Sequence, residues 1–264
     1  MKKNLLFIGA SGRLGRKWIN NLDKKYNVFA LINKSRFKTR HKKIKLRLLN
    51  KKKLDIFCKN NSIGIIINCC GLTIVEKCQK FKKSAYTTNT LIPEILADVS
   101  KKNAIKLVHI STDHLFDGMQ KSYSEKSKLN PLNYYAKSKM MGEKKIISKL
   151  KNYIIIRTNF FSFSKKKDTL LEKSLKIIKK NKEVKAWDNV KFTPIHTNSL
   201  IKIANLLIKK DFKGLINISS NESISKYQFL YMVVKHLKFD TNNVKKDVLK
   251  NNSLKIKSPL NMSL

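Results

Sequence analysis

The stretch Leu5-Leu-Phe-Ile-Gly9-Ala-Ser-Gly12-Arg-Leu-Gly15 decides the fold of this 264-residue chain. Its four leading apolar residues predict a buried strand, and the apolar spacing from Leu14 to Leu22 predicts a helix directly after the glycines. The chain has only eight glycines, and three of them stand here at intervals of three. Glycines let the backbone turn tightly and approach a pyrophosphate, whose charge then lies at the helix N-terminus. Gly9, Gly12 and Gly15 are therefore predicted to bind a dinucleotide, the alternative being a plain strand–helix turn.

Further along, strand and helix patterns alternate. Apolar runs predict strands at 28–32, 44–48, 63–67, 105–110 and 153–156, and helical spacing predicts helices near 84–101 and 134–150. Such alternation calls for a parallel sheet covered on both faces. The predicted fold class is α/β, with a Rossmann-type doubly wound parallel sheet in an NADP-binding domain at 1–157. Residues 158–264 are predicted to form a small C-terminal α/β substrate-binding region, interleaved with that domain.

The segment after the second predicted strand indicates the cofactor type. NAD sites usually place an acidic residue there, whereas basic residues accommodate the 2′-phosphate of NADP. This chain has Asn33-Lys-Ser-Arg36 at that point, and no acid stands between Asp23 and Asp55. Arg13, inside the glycine stretch, could also reach that phosphate. We therefore expect NADPH as the cofactor, with NADH as the alternative, and Asn33, Arg36 and Arg13 among its binding residues.

A tyrosine four residues before a lysine recurs by chance in so lysine-rich a chain, and Tyr231 with Lys235 is such a pair. Tyr135 with Lys139 differs because it follows the glycines and Thr112, which ends a predicted strand. Tyr135 and Lys139 lie one helical turn apart and share a helix face. A nearby ammonium would lower the pKa of the phenol, which could then give a proton to a carbonyl oxygen. Thr112, Tyr135 and Lys139 are the predicted catalytic residues of a carbonyl reductase.

Charge and composition indicate which classes of binding partner the chain can have. The net charge is +41, from 58 basic against 17 acidic residues, but the lysines are spread along the whole chain. No basic tail or aromatic–basic interleaving is present, so we expect no nucleic-acid partner. No apolar run approaches a membrane span, and the short apolar start does not read as a signal peptide, so a cytoplasmic protein is expected.

Cysteines and histidines show no metal-binding pattern. Cys58, Cys69, Cys70 and Cys78 lack the paired spacing of a zinc site and are predicted to be buried, reduced thiols. The histidines at 109, 114 and 196 have no mutual spacing typical of ligands. No metal is expected.

Longer motifs carry a resemblance to a known family. They are Asn68-Cys-Cys-Gly-Leu-Thr73-Ile-Val75-Glu76, Ser111-Thr-Asp-His-Leu-Phe-Asp-Gly118, Tyr135-Ala-Lys-Ser-Lys139-Met-Met-Gly-Glu143, Arg157, Asp188 with Thr193-Pro194, and Ser258-Pro-Leu-Asn-Met-Ser-Leu264. With them the chain resembles the extended short-chain dehydrogenase/reductases, most of all the dTDP-4-dehydrorhamnose reductases.

That resemblance implies NADPH- or NADH-dependent reduction of the 4-keto group of a nucleotide-linked deoxyhexose. It implies that Thr112, Tyr135 and Lys139 form the catalytic triad and that the C-terminal region holds the sugar nucleotide. Cofactor contacts implied by it are Gly12, Arg13 and Leu14 at the pyrophosphate, and Cys70, Gly71 and Thr73 beside the nicotinamide end. A homodimer is a further expectation.

The chain departs from that family's pattern near the substrate. His114 stands where the family usually has Tyr, Leu72 replaces a commonly polar or aromatic residue, and Thr158-Asn-Phe-Phe161 replaces a Ser-Trp pair. Two alternatives stay open: an epimerase or dehydratase of the same superfamily, and a non-catalytic nucleotide-binding regulatory homologue.

Overall fold

A computed structural model of the chain describes residues 3–32, 38–163, 169–250 and 255–264. The strands in these ranges are β1 (Lys3–Ile8), β2 (Tyr26–Leu31), β3 (Lys42–Ile44), β4 (Ile63–Asn68), β5 (Lys106–Ile110), β6 (Tyr153–Arg157), β7 (Phe160–Phe161), β8 (Val184–Trp187), β9 (Lys191–Phe192), β10 (Ile195–His196), β11 (Gly214–Asn217), β12 (Ile224–Ser225), β13 (Val244–Asp247) and β14 (Asn261–Met262). The helices are α1 (Arg13–Asn20), α2 (Lys51–Asn60), α3 (Val75–Lys80), α4 (Lys82–Tyr86), α5 (Ile92–Lys102), α6 (Tyr134–Lys149), α7 (Leu170–Ile178), α8 (Thr197–Lys209) and α9 (Lys226–His236). A π-helical segment, Thr87–Leu91, joins α4 to α5.

Parallel pairing joins seven of these strands in the order β11-β6-β5-β4-β1-β2-β3. The chain builds one half of the sheet with β1 to β3, then returns to β4 beside β1 and builds the other half. Strand order thus reverses between β1 and β4, and ligands of such sheets bind outside the carboxyl ends of the strands at this point. The predicted α/β class with a Rossmann-type parallel sheet is confirmed.

Helices cover both faces of this sheet. Successive side chains of a strand point to opposite faces, so one strand contributes to two cores. On β4, Ile65 and Ile67 join the core formed with α1 and α8, whereas Ile66 joins the core formed with α2, α5 and α6. Each such side chain contributes about 1.5–3 kcal/mol of burial free energy. The continuous apolar runs of the central strands follow from this double burial.

Several predicted boundaries differ from the structure. The third strand ends at Ile44 instead of beginning there, because Leu46 and Leu48 pack against the core from an irregular segment. The helix predicted at 84–101 begins at Lys82 and contains the π-helical segment. The apolar spacing of the sequence did not predict helix α2, because only Leu54 and Cys58 of its ten residues are buried.

The second part of the chain adds a strand to the main sheet. Strand β11 pairs with β6, while β12, β9 and β14 form a separate small sheet. Helices α7 and α9 pack with β8 and β13 around a cluster that includes Leu175 and Val234. The chain beyond 158 therefore contributes both to the main sheet and to its own small core; the domain division between 157 and 158 stays a prediction.

Contacts on both sides fix the part of helix α6 that contains Tyr135 and Lys139. The side chain of Asn133 caps the helix by accepting a hydrogen bond of 3.0 Å from the Ala136 N–H, so Tyr135 lies in the first turn. One turn beyond Lys139, Gly142 lets the helix approach the π-helical segment: a Cβ at this position would lie 2.1 Å from the Asn89 carbonyl oxygen.

We therefore expect Gly142→Ala to lower the free energy of unfolding by about 3 kcal/mol, because backbone must move to admit the methyl group. Gly64→Ala is the matched control, since the nearest atom to a Cβ there is the Asn4 carbonyl oxygen at 4.0 Å. The control should stay within about 0.5 kcal/mol of the unaltered protein. Urea unfolding of the three proteins measures both values, and equal stabilities would contradict the close approach.

Candidate active site

A cavity of about 420 Å³ lies at the carboxyl ends of β1, β4 and β5. It is lined by most of the residues that the sequence predicted: Gly12, Arg13, Leu14, Gly15, Cys70, Gly71, Thr73, Thr112, Tyr135 and Lys139. Gly9 does not line it but shapes the turn behind it. Asn33 and Arg36, the predicted contacts to a 2′-phosphate, lie outside the described residues.

The glycine turn is compact for two steric reasons. Gly9 adopts φ +81°, and a Cβ there would lie 2.7 Å from the Cys69 carbonyl carbon. A Cβ at Gly15 would lie 2.1 Å from the Gly9 carbonyl oxygen. Helix α1 begins at Arg13, and its cap residue, Gly12, contributes no side-chain hydrogen bond. The first N–H groups of the helix thus border the cavity, where they suit an anionic pyrophosphate.

Buried polar atoms around the cavity also fit a polar ligand. Ser111 Oγ, His114 Nδ1 and Thr158 Oγ1 are buried, and none has a hydrogen-bond partner. Unpaired buried polar atoms are costly, and native proteins rarely keep them without a partner such as water or a ligand. Together with the glycine turn, these atoms fit a dinucleotide and a carbonyl substrate.

Tyr135 lies at one wall of the cavity, 7% exposed. Burial raises the pKa of Tyr135 above its usual value of 10.0, and a hydrogen bond with Thr112 opposes this increase. The negative charges of Asp113 and Cys78, when ionised, would raise the same pKa. The sequence-based expectation of a lowered pKa is wrong for this structure, because burial outweighs every opposing interaction. The phenol therefore keeps its proton at neutral pH.

Lys139 is held by two contacts to β5. Its Nζ donates a hydrogen bond of 2.6 Å to the Ile110 carbonyl oxygen and lies 3.2 Å from His109 Nε2. Burial lowers the pKa of Lys139 to about 8, although the negative charge of Glu143 opposes the decrease. The amine of Lys139 can therefore change charge close to neutral pH.

Thr112 is held by its neighbours. Its hydroxyl donates to Asp113 Oδ1 at 3.2 Å and accepts the His114 N–H at 3.3 Å. The other carboxylate oxygen of Asp113 accepts a hydrogen bond of 2.6 Å from the side chain of Asn159. Sequence analysis missed the role of Asp113 and Asn159 in this network, because they lie 46 positions apart and no local pattern links them.

Asn89 fixes the wall formed by residues 71–73, and it was also missed. Its side-chain amide accepts the Leu72 N–H at 2.9 Å and donates to the Leu72 carbonyl oxygen at 2.9 Å. The same amide donates to Ser138 Oγ at 3.0 Å, which ties this wall to α6. A lone asparagine within a helical pattern carries no sequence signal for such a contact.

A second cavity of about 410 Å³ shares Arg13, Asn159 and Phe160 with the first and extends into the C-terminal region. Lys226 lines it, and its Nζ lies 3.2 Å from the centroid of the Phe192 ring. Burial lowers the pKa of Lys226 to about 8, and the charge of Asp113 opposes the decrease. Among so many lysines, nothing in the sequence distinguished this one.

The remaining predictions concern thiols, metals and membranes. Cys58, Cys69, Cys70 and Cys78 are free thiols. The predicted burial holds for Cys58 and Cys78, whereas Cys69 and Cys70 are half-buried. Within the described ranges, no three His, Cys, Asp or Glu side chains are arranged to hold a metal ion. In the same ranges, every helix is too short or too polar to cross a membrane.

Three comparisons relate the chain to known proteins. The family model described as RmlD substrate binding domain matches residues 2–264. The spore coat polysaccharide biosynthesis protein SpsK of Bacillus subtilis is 26% identical over 239 residues, which are 90% of this chain and 80% of that protein. A dTDP-4-dehydrorhamnose reductase of Aggregatibacter actinomycetemcomitans is 30% identical over 159 residues, 59% of this chain and 51% of the reductase. The crystal structure of dTDP-4-dehydrorhamnose reductase from Bacillus anthracis in complex with NADP superposes with a TM-score of 0.87 at 22% identity, covering 100% of this chain and 90% of that one.

A buried ion pair supports α6 beside the site. The guanidinium of Arg157, at the end of β6, donates to Glu143 Oε2 at 2.7 Å, and the two side chains are 3% and 1% exposed. A buried charge that loses its partner is strongly destabilising, because the low-dielectric interior does not solvate it.

We expect Glu143→Gln to lower the free energy of unfolding by about 3 kcal/mol, since Arg157 would stay buried without a counter-charge. Asp55→Asn is the matched control, because Asp55 pairs with the mostly exposed Lys102 and such surface pairs contribute little. Chemical denaturation of both variants measures the difference. A Glu143→Gln protein as stable as the control would show that the buried pair is not required.

Proposed function

Because the chain belongs to the family described as RmlD substrate binding domain, we propose that it is an NADPH-dependent reductase. Its substrate is the 4-keto group of a nucleotide-linked deoxysugar, as in the dTDP-4-dehydrorhamnose reductases that it resembles. The chain is therefore assigned to the NAD(P)-dependent oxidoreductases that act on a carbonyl group.

One observation carries the proposal. Thr112, Tyr135 and Lys139 come from two different elements, yet they line the cavity that is bounded by the glycine turn at 9–15. A proton donor and a hydroxyl hydrogen-bond donor thus stand beside a site suited to a pyrophosphate. A reductase needs this combination, whereas a nucleotide-binding partner protein does not.

The protein's contribution to the reaction follows from the protonation of these groups. Bound NADPH supplies the hydride that is added to the carbonyl carbon. Tyr135 donates its proton to the carbonyl oxygen, and its raised pKa keeps that proton available at neutral pH until the oxygen becomes basic. Thr112 turns its hydroxyl from Asp113 Oδ1 to donate a hydrogen bond to the same oxygen, and Lys139 holds the nicotinamide ribose.

The remaining assignments concern the two ligands. Gly9, Gly12 and Gly15 form the turn, Arg13 and Leu14 contact the pyrophosphate, and Cys70, Gly71 and Thr73 face the nicotinamide end.

The sugar nucleotide occupies the second cavity, where Lys185 and Lys226 offer positive charge and Trp187 offers a stacking surface. Both cavities meet at Arg13 and Asn159, so the reacting carbonyl can reach the first cavity from the second.

Preference for NADPH over NADH, the absence of a metal, a cytoplasmic location and assembly into a homodimer stay predictions. Among the similar solved structures, a reductase is in complex with NADP and a dehydratase is in complex with NAD. Dinucleotide retention distinguishes the superfamily alternative. An epimerase or dehydratase recycles its cofactor, so purified protein carrying tightly bound NAD would favour that alternative over a reductase.

The proposal is tested by NADPH oxidation against a panel of 4-keto nucleotide sugars, followed at 340 nm. Turnover of at least one member is expected. Flat traces across the whole panel, with intact NADPH binding, would favour the non-catalytic regulatory homologue instead.

Tyr135→Phe should reduce kcat by about 100-fold or more, because the proton donor is lost. The dissociation constant of NADPH should change by less than about twofold, since the proton donor is not needed for binding the cofactor. Tyr231→Phe is the matched control: Tyr231 also precedes a lysine by four positions, but it packs beside Tyr227 on α9. Normal turnover in Tyr135→Phe, or equal loss in the control, would sink the assigned mechanism.

A further inference from the structure

A buried row of three polar side chains runs from β4 through β5 to α6. Asn68 and His109 are paired in the parallel register of β4 and β5, and neither is exposed. The Asn68 side-chain nitrogen lies 3.0 Å from His109 Nδ1, and His109 Nε2 lies 3.2 Å from Lys139 Nζ. Asn68 and His109 have no part in the reaction assigned above.

The orientation of the Asn68 amide is set by the backbone. Its oxygen, Oδ1, accepts the Cys70 N–H at 3.0 Å. A rotated amide would bring an NH₂ group against that N–H, and two donors would face each other. The NH₂ group of Asn68 is therefore the end that faces His109, and it can only donate.

This orientation selects the tautomer of His109. Since Nδ1 accepts from Asn68, it carries no proton, and a neutral imidazole then carries its proton on Nε2. Burial lowers the pKa of His109 well below its usual value, which keeps the ring neutral. The Nε2–H group points at Lys139 Nζ, so the ring offers a donor where an ammonium would need an acceptor.

We propose that Asn68 and His109 are positioning residues that present a hydrogen-bond donor to Lys139 and thereby favour its uncharged amine. The amine accepts from His109 Nε2–H and donates to the Ile110 carbonyl oxygen, at 2.6 Å. Protonation of Lys139 places two donors against each other unless the His109 tautomer changes and the bonds of Asn68 are lost. His109 thus acts together with burial to lower the pH at which Lys139 changes charge.

Other groups around Lys139 act on the same equilibrium. Glu143, one turn along α6, and the thiols of Cys69 and Cys70 favour the ammonium when they are negative, whereas burial favours the amine. Glu143 is paired with Arg157, and burial raises the pKa of both thiols, so the thiols are neutral at pH 7. Among the described residues, the contacts of the amine are the Ile110 carbonyl oxygen, which accepts a hydrogen bond, and His109, which donates one.

The tautomer can be read from the unaltered protein without cofactor or substrate. Nitrogen-15 labelling of its five histidines and long-range proton–nitrogen correlation distinguish Nε2–H from Nδ1–H imidazoles. The His109 signal is identified by its loss in His109→Gln, or by removing the other four histidines in turn. We expect a neutral Nε2–H ring from pH 6 to 9. An Nδ1–H ring, or an imidazolium at pH 7, would overturn the proposal.

The coupling to Lys139 is tested by pH profiles of kcat/KM, an arm that rests on the proposed reductase function. We expect turnover of the unaltered protein to fall as the pH rises through about 8, because Lys139 then loses the charge with which it holds the nicotinamide ribose. His109→Leu removes the donor, so the fall should move to higher pH by about one unit. His109→Gln offers an acceptor to Asn68 and a donor to Lys139, so its profile should lie within a few tenths of a unit of the original.

The sign of the shift decides between the two tautomers. If His109 Nε2 instead accepted a hydrogen bond from the Lys139 ammonium, His109→Leu would move the fall to lower pH. This result, like an unchanged profile, refutes the proposal. Absence of any turnover in the unaltered protein counts against the reductase function alone, because the nuclear magnetic resonance result is independent of activity.

Discussion

The parallel pairing of β1 with β4 is the constraint on which the site depends. This pairing joins strands that are distant in sequence and sets the point where strand order reverses. It brings the Gly9 turn against the Cys69 backbone so closely that no side chain fits between them. The cavity opens directly beyond this contact. Strand β5 pairs on the far side of β4 and adds Thr112 at the same edge, and α6 then covers β5 with Tyr135 and Lys139.

Burial, more than any single charge, controls the chemistry at this edge. It raises the pKa of Tyr135 and lowers the pKa of Lys139, and both shifts favour the uncharged forms. A protonated phenol beside an amine that titrates near neutral pH suits an acid that must give up its proton only during reaction. The ammonium–phenolate pair suggested by sequence spacing does not form here, because Nζ is held by the Ile110 carbonyl oxygen.

The sequence predicted the fold and most of the residues that line the first cavity, because both rest on local patterns. Apolar runs mark strands buried on two faces, and the glycines mark a turn that leaves no room for a Cβ at Gly9 or Gly15. The supporting contacts could not be predicted, because each joins residues far apart in the chain. Asn89 contacts Leu72 and Ser138, and Asp113 contacts Asn159, with no feature in the sequence to link them. The direction of the Tyr135 pKa was wrong for the same reason, since burial is a tertiary property.

The high lysine content of this sequence prevents the functional lysines from being recognised by pattern. Burial in the structure distinguishes them from the others. Most lysines extend into solvent, where an ammonium costs nothing. Lys106 is buried but satisfied, since its Nζ donates to the Phe212 carbonyl oxygen and contacts Asp211 at 2.8 Å. Lys139 has a backbone carbonyl and an imidazole, and Lys226 has an aromatic face. The last two carry the lowered pKa values, because neither contacts a carboxylate that would repay the loss of water. In a chain with a net charge of +41, a lysine can be linked to the site only where the fold buries its amine away from solvent.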